Sequence, residues 1–203
     1  MAKKWSNKNL PGALHFITGN VLNRRSIFQS EDNCRALLKE MQDLRTYYEC
    51  KLIAIVIMLD HFHLIINPKD GDIQKAVGIL KSFSAKAIIR SAPIGTFANG
   101  DENQVWQESF KALPLWSRWM IEQKINYIHA NPVRASLCST AEDYPWTSFR
   151  SFYRIEPDPL LAVDKKWWWD DDEDKLAISR REWETEKMDK MVNRIDENRR
   201  KLE

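Results

Sequence analysis

The chain has 203 residues, 43% of them hydrophobic and 30% charged, with a formal net charge of +2. That length holds one sizeable core, or one domain with an appendage. No run of about 18 apolar residues offers a membrane-spanning helix, and three scattered cysteines, Cys34, Cys50 and Cys138, argue against a disulfide framework or a structural zinc site and for a reducing compartment.

Residues 1–12 are polar, end in Pro11-Gly12 and carry no signal-type apolar stretch, so a loose arm and a cytoplasmic protein are expected. Ala13 to Val21 reads as a short strand, followed by the basic turn Asn23-Arg24-Arg25. Ser30-Glu31-Asp32 has the pattern of a helix start, with Ser30 as cap and acids in the first turn. Leu37, Leu38, Met41, Leu44 and Tyr48 then recur at helical spacing, predicting a helix to about Tyr48.

Leu52 to Pro68 organises the rest. Twelve of the residues from Leu52 to Ile66 are apolar, many of them β-branched, which predicts buried strand. The stretch is too long for one strand, and Asp60 suggests a hairpin with strands near 52–58 and 61–67. Alternation then puts His61 and His63 on one face and Phe62 on the other. Two imidazoles so placed form half of a metal site, or are core or surface histidines held by hydrogen bonds.

Asp70-Gly71-Asp72 reads as turn and cap. Ile73, Val77, Leu80, Phe83, Ala87 and Ile88 mark a second amphipathic helix to about Arg90. Its Lys75, Lys81, Lys86 and Arg90 suit either a phosphate backbone or a solvated face. Residues 91–103 read as a loop, 104–110 as a strand, and Leu113-Pro114 as a break. A third helix is predicted from about Leu115 to Ala130, ended by Pro132. After an irregular stretch to Tyr153 come Trp167-Trp168-Trp169, the acids Asp170 to Asp174, and a charged, helix-favouring segment from Lys175. That tail is either packed on the domain or partly free. Residues 1–90 carry 14 Lys and Arg against 8 Asp and Glu, so the positive field sits on the half that holds the histidines, and a polyanionic partner fits as well as an ordinary charged surface.

The order strand, helix, strand, strand, helix, strand, helix is an α+β layout: a ferredoxin-like antiparallel sheet with helices on one face, plus a charged C-terminal helical tail. The expected division is 1–156 and 157–203. On the third helix, Tyr127 and Asn131 stand four residues apart on one face, while His129 points elsewhere. Taken alone, such a tyrosine is usually a core or rim residue.

The combination is more specific. His61-Phe62-His63, then Trp106-Gln107, then Tyr127-Ile128-His129-Ala130-Asn131-Pro132-Val133, then Asp143-Tyr144-Pro145-Trp146-Thr147-Ser148 resembles the single-tyrosine transposases with a His-hydrophobic-His signature. The branch it resembles is that of the REP-associated tyrosine transposases, over about residues 11–153. Asn23-Arg24-Arg25 and Phe28 also look like that branch's early segment. Two positions depart from its pattern: Leu59-Asp60 stands where Pro-Asn is usual, and Ser136 where Gly is usual.

The resemblance implies metal-dependent cleavage and rejoining of single-stranded DNA at hairpin-forming repeats. Tyr127 would be the catalytic nucleophile, and His61, His63 and Asn131 the ligands of Mg2+ or Mn2+. Arg24, Arg25, Lys75, Lys81 and Lys86 are candidate phosphate contacts, and Trp5 and Phe28 candidate stacking residues. The expected partner is single-stranded or hairpin DNA, with the chain a monomer or homodimer. Two other readings are a domesticated protein that binds repeat hairpins without cutting, and an unrelated ferredoxin-like domain.

Overall fold

In the computed structural model, which describes residues 7, 9–10, 12–92, 104–153, 155 and 158–167, the apolar run around the histidine pair forms a hairpin. Its strands are β2 (Cys50–Ile57) and β3 (His61–Pro68), and the Met58 N–H closes the turn on His61 O at 2.8 Å. β1 (Leu14–Asn20) pairs antiparallel with β3, and β4 (Lys111–Leu115) pairs antiparallel with β1. The sheet order is β2-β3-β1-β4. With α1 (Glu31–Tyr47) and α2 (Ile73–Ser91) as crossovers, this is the expected ferredoxin-like arrangement.

Period-two alternation divides the core. Leu52, Ile55, Ile57, Phe62, Leu64 and Ile66 pack with α1 and α2, whereas Ile53, Ala54, Val56 and Ile65 pack with Ile121, Ile125 and Ile128 of α3 (Arg118–Arg134). The register slips between Leu52 and Ala54, a bulge that sends both Ile53 and Ala54 to the α3 side. α3 is therefore the exception to helices on one face. A single helical layer would leave the second apolar face of β2 and β3 in water, and the Ile stripe of α3 covers it.

Three local expectations are corrected. The fourth strand is 111–115, not 104–110; Trp106 makes only an isolated bridge to Val21. Pro114 lies inside that strand, where it is tolerated because β4 is the sheet edge. Pro132 does not end α3, which runs on to Arg134; the helix closes beyond it with Ala135 N–H on Asn131 O at 3.0 Å and Leu137 N–H on Pro132 O at 2.9 Å. Phe83 and Tyr48, expected on apolar stripes, are exposed.

The Tyr144–Ser148 segment covers the outer edge of β2. Tyr144 Oη donates to Ile57 O at 2.8 Å, Ile57 N–H donates to Trp146 O at 2.9 Å, and Ser148 N–H donates to Ile55 O at 2.9 Å. Further along, Asp164 N–H donates to Leu52 O at 2.6 Å, while the Asp164 carboxylate accepts from Leu52 N–H at 2.9 Å and pairs with Arg45 at 2.7 Å. An edge so capped cannot template strand addition. Residues 158–167 thus supply part of that cover, and Asn67 Nδ2 donates to Trp167 O at 3.0 Å. Trp5, most of the 91–103 loop, Trp168-Trp169, the acidic run and the charged tail lie outside the described residues. Among the described residues no helix is long and apolar enough to cross a membrane.

Candidate active site

Phe62 is the wedge that orients the site. Its ring is fully buried, meets Trp106 edge-on at 5.3 Å, and lies over Gly19 on β1. A Cβ at Gly19 would stand 2.3 Å from the ring, so glycine is required there. With Phe62 held on the α1/α2 side, His61 and His63 must face α3.

The two imidazoles meet edge-on with centroids 4.9 Å apart. Each has its Nδ1 engaged. His63 Nδ1 is 2.9 Å from Thr18 Oγ1, and His61 Nδ1 is 2.5 Å from Asp60 Oδ1. Phe16 stacks on His63 at 5.2 Å. Burial, with His61, Lys124 and Arg24 nearby, pushes the His63 pKa down to about 3. A ring held neutral has its lone pair available to a metal without competition from a proton.

Tyr127, half-buried on α3, stands over this pair. Its ring is 5.3 Å from that of His63 and meets Phe16 edge-on at 5.8 Å. Two cations flank it: Lys124 Nζ lies 5.4 Å from the ring centre, and the Arg134 guanidinium carbon 5.6 Å. Spacings of three and seven put both residues on the tyrosine's side of α3, a helical signal that the sequence contains. Asn131 sits one turn after Tyr127 on that side. Thr18 and Phe16 carried no sequence signal, since only the β1–β3 register places Thr18 beside His63.

The donor set fits one divalent ion. It offers two imidazoles with Nδ1 already engaged, and the Asn131 amide on the same helix face as Tyr127. Among the described residues no cluster of three or more His, Cys, Asp or Glu side chains forms a metal site, so any further ligand from the chain would be of another type, such as the Asn131 amide oxygen.

Of the predicted phosphate contacts, only Arg24 is brought to the site; its Nε is 2.9 Å from Asp60 Oδ2. Arg25 is turned to the 104 loop, with Nη2 donating to Gln104 O at 2.6 Å. Lys75, Lys81 and Lys86 lie on α2, across the sheet from Tyr127. Lys75 pairs with Asp70, Lys81 donates to the carbonyls of Gln107 and Glu108, and Lys86 lies over Phe83. Phe28 is buried against Trp106 in the core and is not a stacking surface.

His129 points away from the site, as expected. It is buried among Phe149, Phe152 and Tyr153, and its Nε2 is 3.1 Å from Ser148 Oγ. Burial, with Lys165 nearby, pushes its pKa down to about 4. His63 and His129 thus stay neutral in the folded chain but take up protons near 6.5 when it unfolds. The unfolded state binds more protons below that value, so stability present above about pH 6.5 is lost as pH falls toward about 4. The urea midpoint of metal-free protein should drop between about pH 7 and about pH 5; an unchanged midpoint contradicts this assignment.

A family model described as IS200-like transposase matches residues 13–131, more than half of the chain. The chain belongs to the IS200-like transposase family. The match begins just before β1 and ends at Asn131, so it takes in the histidine pair and the tyrosine. This transposase-family chain is also 25% identical over 158 residues to a Haemophilus influenzae protein assigned by name to the REP-associated tyrosine transposases, covering 73% of this chain and 86% of that one. A solved structure of a REP-associated tyrosine transposase bound to a REP hairpin superposes with a TM-score of 0.59 at 19% identity, covering 82% of this chain and 97% of that one. At that identity the superposition establishes the shared fold.

Proposed function

We propose that this transposase cleaves and rejoins single-stranded DNA at hairpin-forming repeats through a covalent bond to Tyr127. The observation that carries the reading is the placement of Tyr127 against His63, with ring centroids 5.3 Å apart, although the two come from different elements 64 positions apart in the chain. The tyrosine Oη forms a bond to phosphorus as the bond from phosphorus to the 3′ oxygen breaks. The products are a 5′-phosphotyrosine and a free 3′-OH, with the phenolic proton passing through solvent to the leaving oxygen. A phenol ionises near 10, so it needs only modest activation. Because the phosphodiester energy stays in the tyrosyl ester, attack by a second 3′-OH restores DNA without ATP.

His61, His63 and Asn131 would hold a divalent ion, which supplies polarisation of the scissile phosphate when bound. Magnesium favours oxygen ligands, so a site with two imidazoles should take manganese well. Lys124 and Arg134 stand where charge develops on the phosphate as Tyr127 attacks, and stabilise it. Hairpin repeats enter the proposal through the relative whose structure holds a REP hairpin.

The competing reading, a repeat-binding protein that does not cut, would draw on Asp60 as a negative charge repelling phosphate. Arg24 pairs with that carboxylate at 2.9 Å and offsets it. The test is a denaturing gel of the protein with manganese and single-stranded oligonucleotides carrying the repeats that flank its gene. A slow-migrating adduct should form, depend on the ion, and be lost in His63→Ala. Hairpin binding with no adduct in either ion sinks the proposal.

A further inference from the structure

Asp60 departs from the pattern that the rest of the hairpin follows, and its carboxylate is fully committed. Oδ1 lies 2.5 Å from His61 Nδ1, and Oδ2 lies 2.9 Å from Arg24 Nε. Arg24 is also tied through Nη1 to Asn20 Oδ1 at 2.6 Å, and Asn20 Nδ2 reaches Gln107 Oε1 at 3.4 Å. This line of contacts links the Trp106-Gln107 segment to the first histidine. The backbone joins in. Val21 N–H donates to Asp60 O at 2.9 Å, and Phe28 N–H donates to Leu59 O at 3.1 Å. Between those bonds Asn23 and Arg24 both take left-handed φ, at 55° and 56°, a conformation that asparagine tolerates and that strains arginine.

We infer that Asp60 is a positioning residue with two clients: it fixes His61 with Nδ1 protonated and Nε2 turned to the ion, and it holds Arg24 beside the histidines as a third cation, with Lys124 and Arg134, for the scissile phosphate. A carboxylate only accepts hydrogen bonds, so the ring nitrogen facing Oδ1, Nδ1, is the one that carries the proton toward it. Such a carboxylate–histidine pair orients a ligand and raises its basicity. Arg24 gives Nε to Asp60 and Nη1 to Asn20, and its side chain remains about half exposed. The guanidinium is a planar donor suited to a phosphate oxygen. The inference rests on the proposed function for what the two clients bind, but not for how they are held.

The test reads the holding and the binding separately. Long-range 1H–15N spectra of metal-free, histidine-labelled protein report the His61 tautomer. It should be Nδ1–H in the wild type and shift toward Nε2–H in Asp60→Ala. Manganese affinity by calorimetry should fall about tenfold or more in Asp60→Ala. Asp60→Asn should restore tautomer and manganese affinity, because its one acceptor goes to His61, the more buried of the two partners, and leaves Arg24 loose. Arg24→Ala should keep both within about twofold of wild type while weakening capture of single-stranded DNA by about tenfold. The same His61 tautomer in wild type and Asp60→Ala, in variants with unchanged far-ultraviolet spectra, overturns the inference. A wild type that binds no manganese sinks the metal site of the proposed function instead, and the tautomer comparison still decides the role of Asp60.

Discussion

Tyr127→Phe should leave the fold and DNA binding intact while removing at least about 10^3-fold of covalent adduct formation. The substitution deletes one oxygen. The ring keeps its edge contacts with Phe16 and His63 and its place between Lys124 and Arg134. In the proposed reaction the cations and the metal-holding histidine pair would therefore remain, and only the attacking atom would be gone. Single-turnover cleavage with a hairpin oligonucleotide, beside a binding isotherm and a thermal melt, checks all three parts. Adduct at more than about a tenth of the wild-type level would mean that another group attacks phosphorus.

The largest effect on stability should come from Phe62→Ala, at about 3–5 kcal/mol. The ring is fully buried, packed on Trp106 and wedged over Gly19, so truncation leaves a cavity between strand and helices. Gly19→Ala attacks the same contact from the other side. Its methyl would sit 2.3 Å from the ring, and the overpacking should cost about 1–3 kcal/mol. Both variants also loosen the strand that aims the histidines, so manganese affinity should fall with stability. Chemical denaturation of the two single variants and the double gives the coupling. A Phe62→Ala loss below about 1 kcal/mol would show that the histidines are oriented by something other than this wedge.

The hairpin and the histidine face were legible in the sequence because a dense Ile and Val run has one reading as strand, and alternation then places every second residue. Tyr127 and Asn131 were legible through helical spacing, and the family signature joined them to the histidines. What the sequence could not place was decided by topology. Lys81 and Lys86 have the right charge, but α2 crosses on the face away from Tyr127, and no residue on α2 announces which face it covers. Phe28 looks like a stacking surface until the 22–29 segment folds it under Trp106. β4 was misplaced because Pro114 reads as a break, yet an edge strand has no need of that N–H. Thr18 became a partner of His63 only through strand register, and Arg24 a partner of Asp60 only through the left-handed turn after β1.

The central claim is that Tyr127 carries the DNA. The direct measurement is to trap the product on a single-stranded hairpin substrate with manganese, digest protein and DNA, and sequence the modified peptide by mass spectrometry. The account predicts a nucleotide joined through its 5′-phosphate to Tyr127 and to no other residue. The same mass on Tyr144, Tyr153 or a serine, or DNA cut with no modified peptide at all, would contradict it.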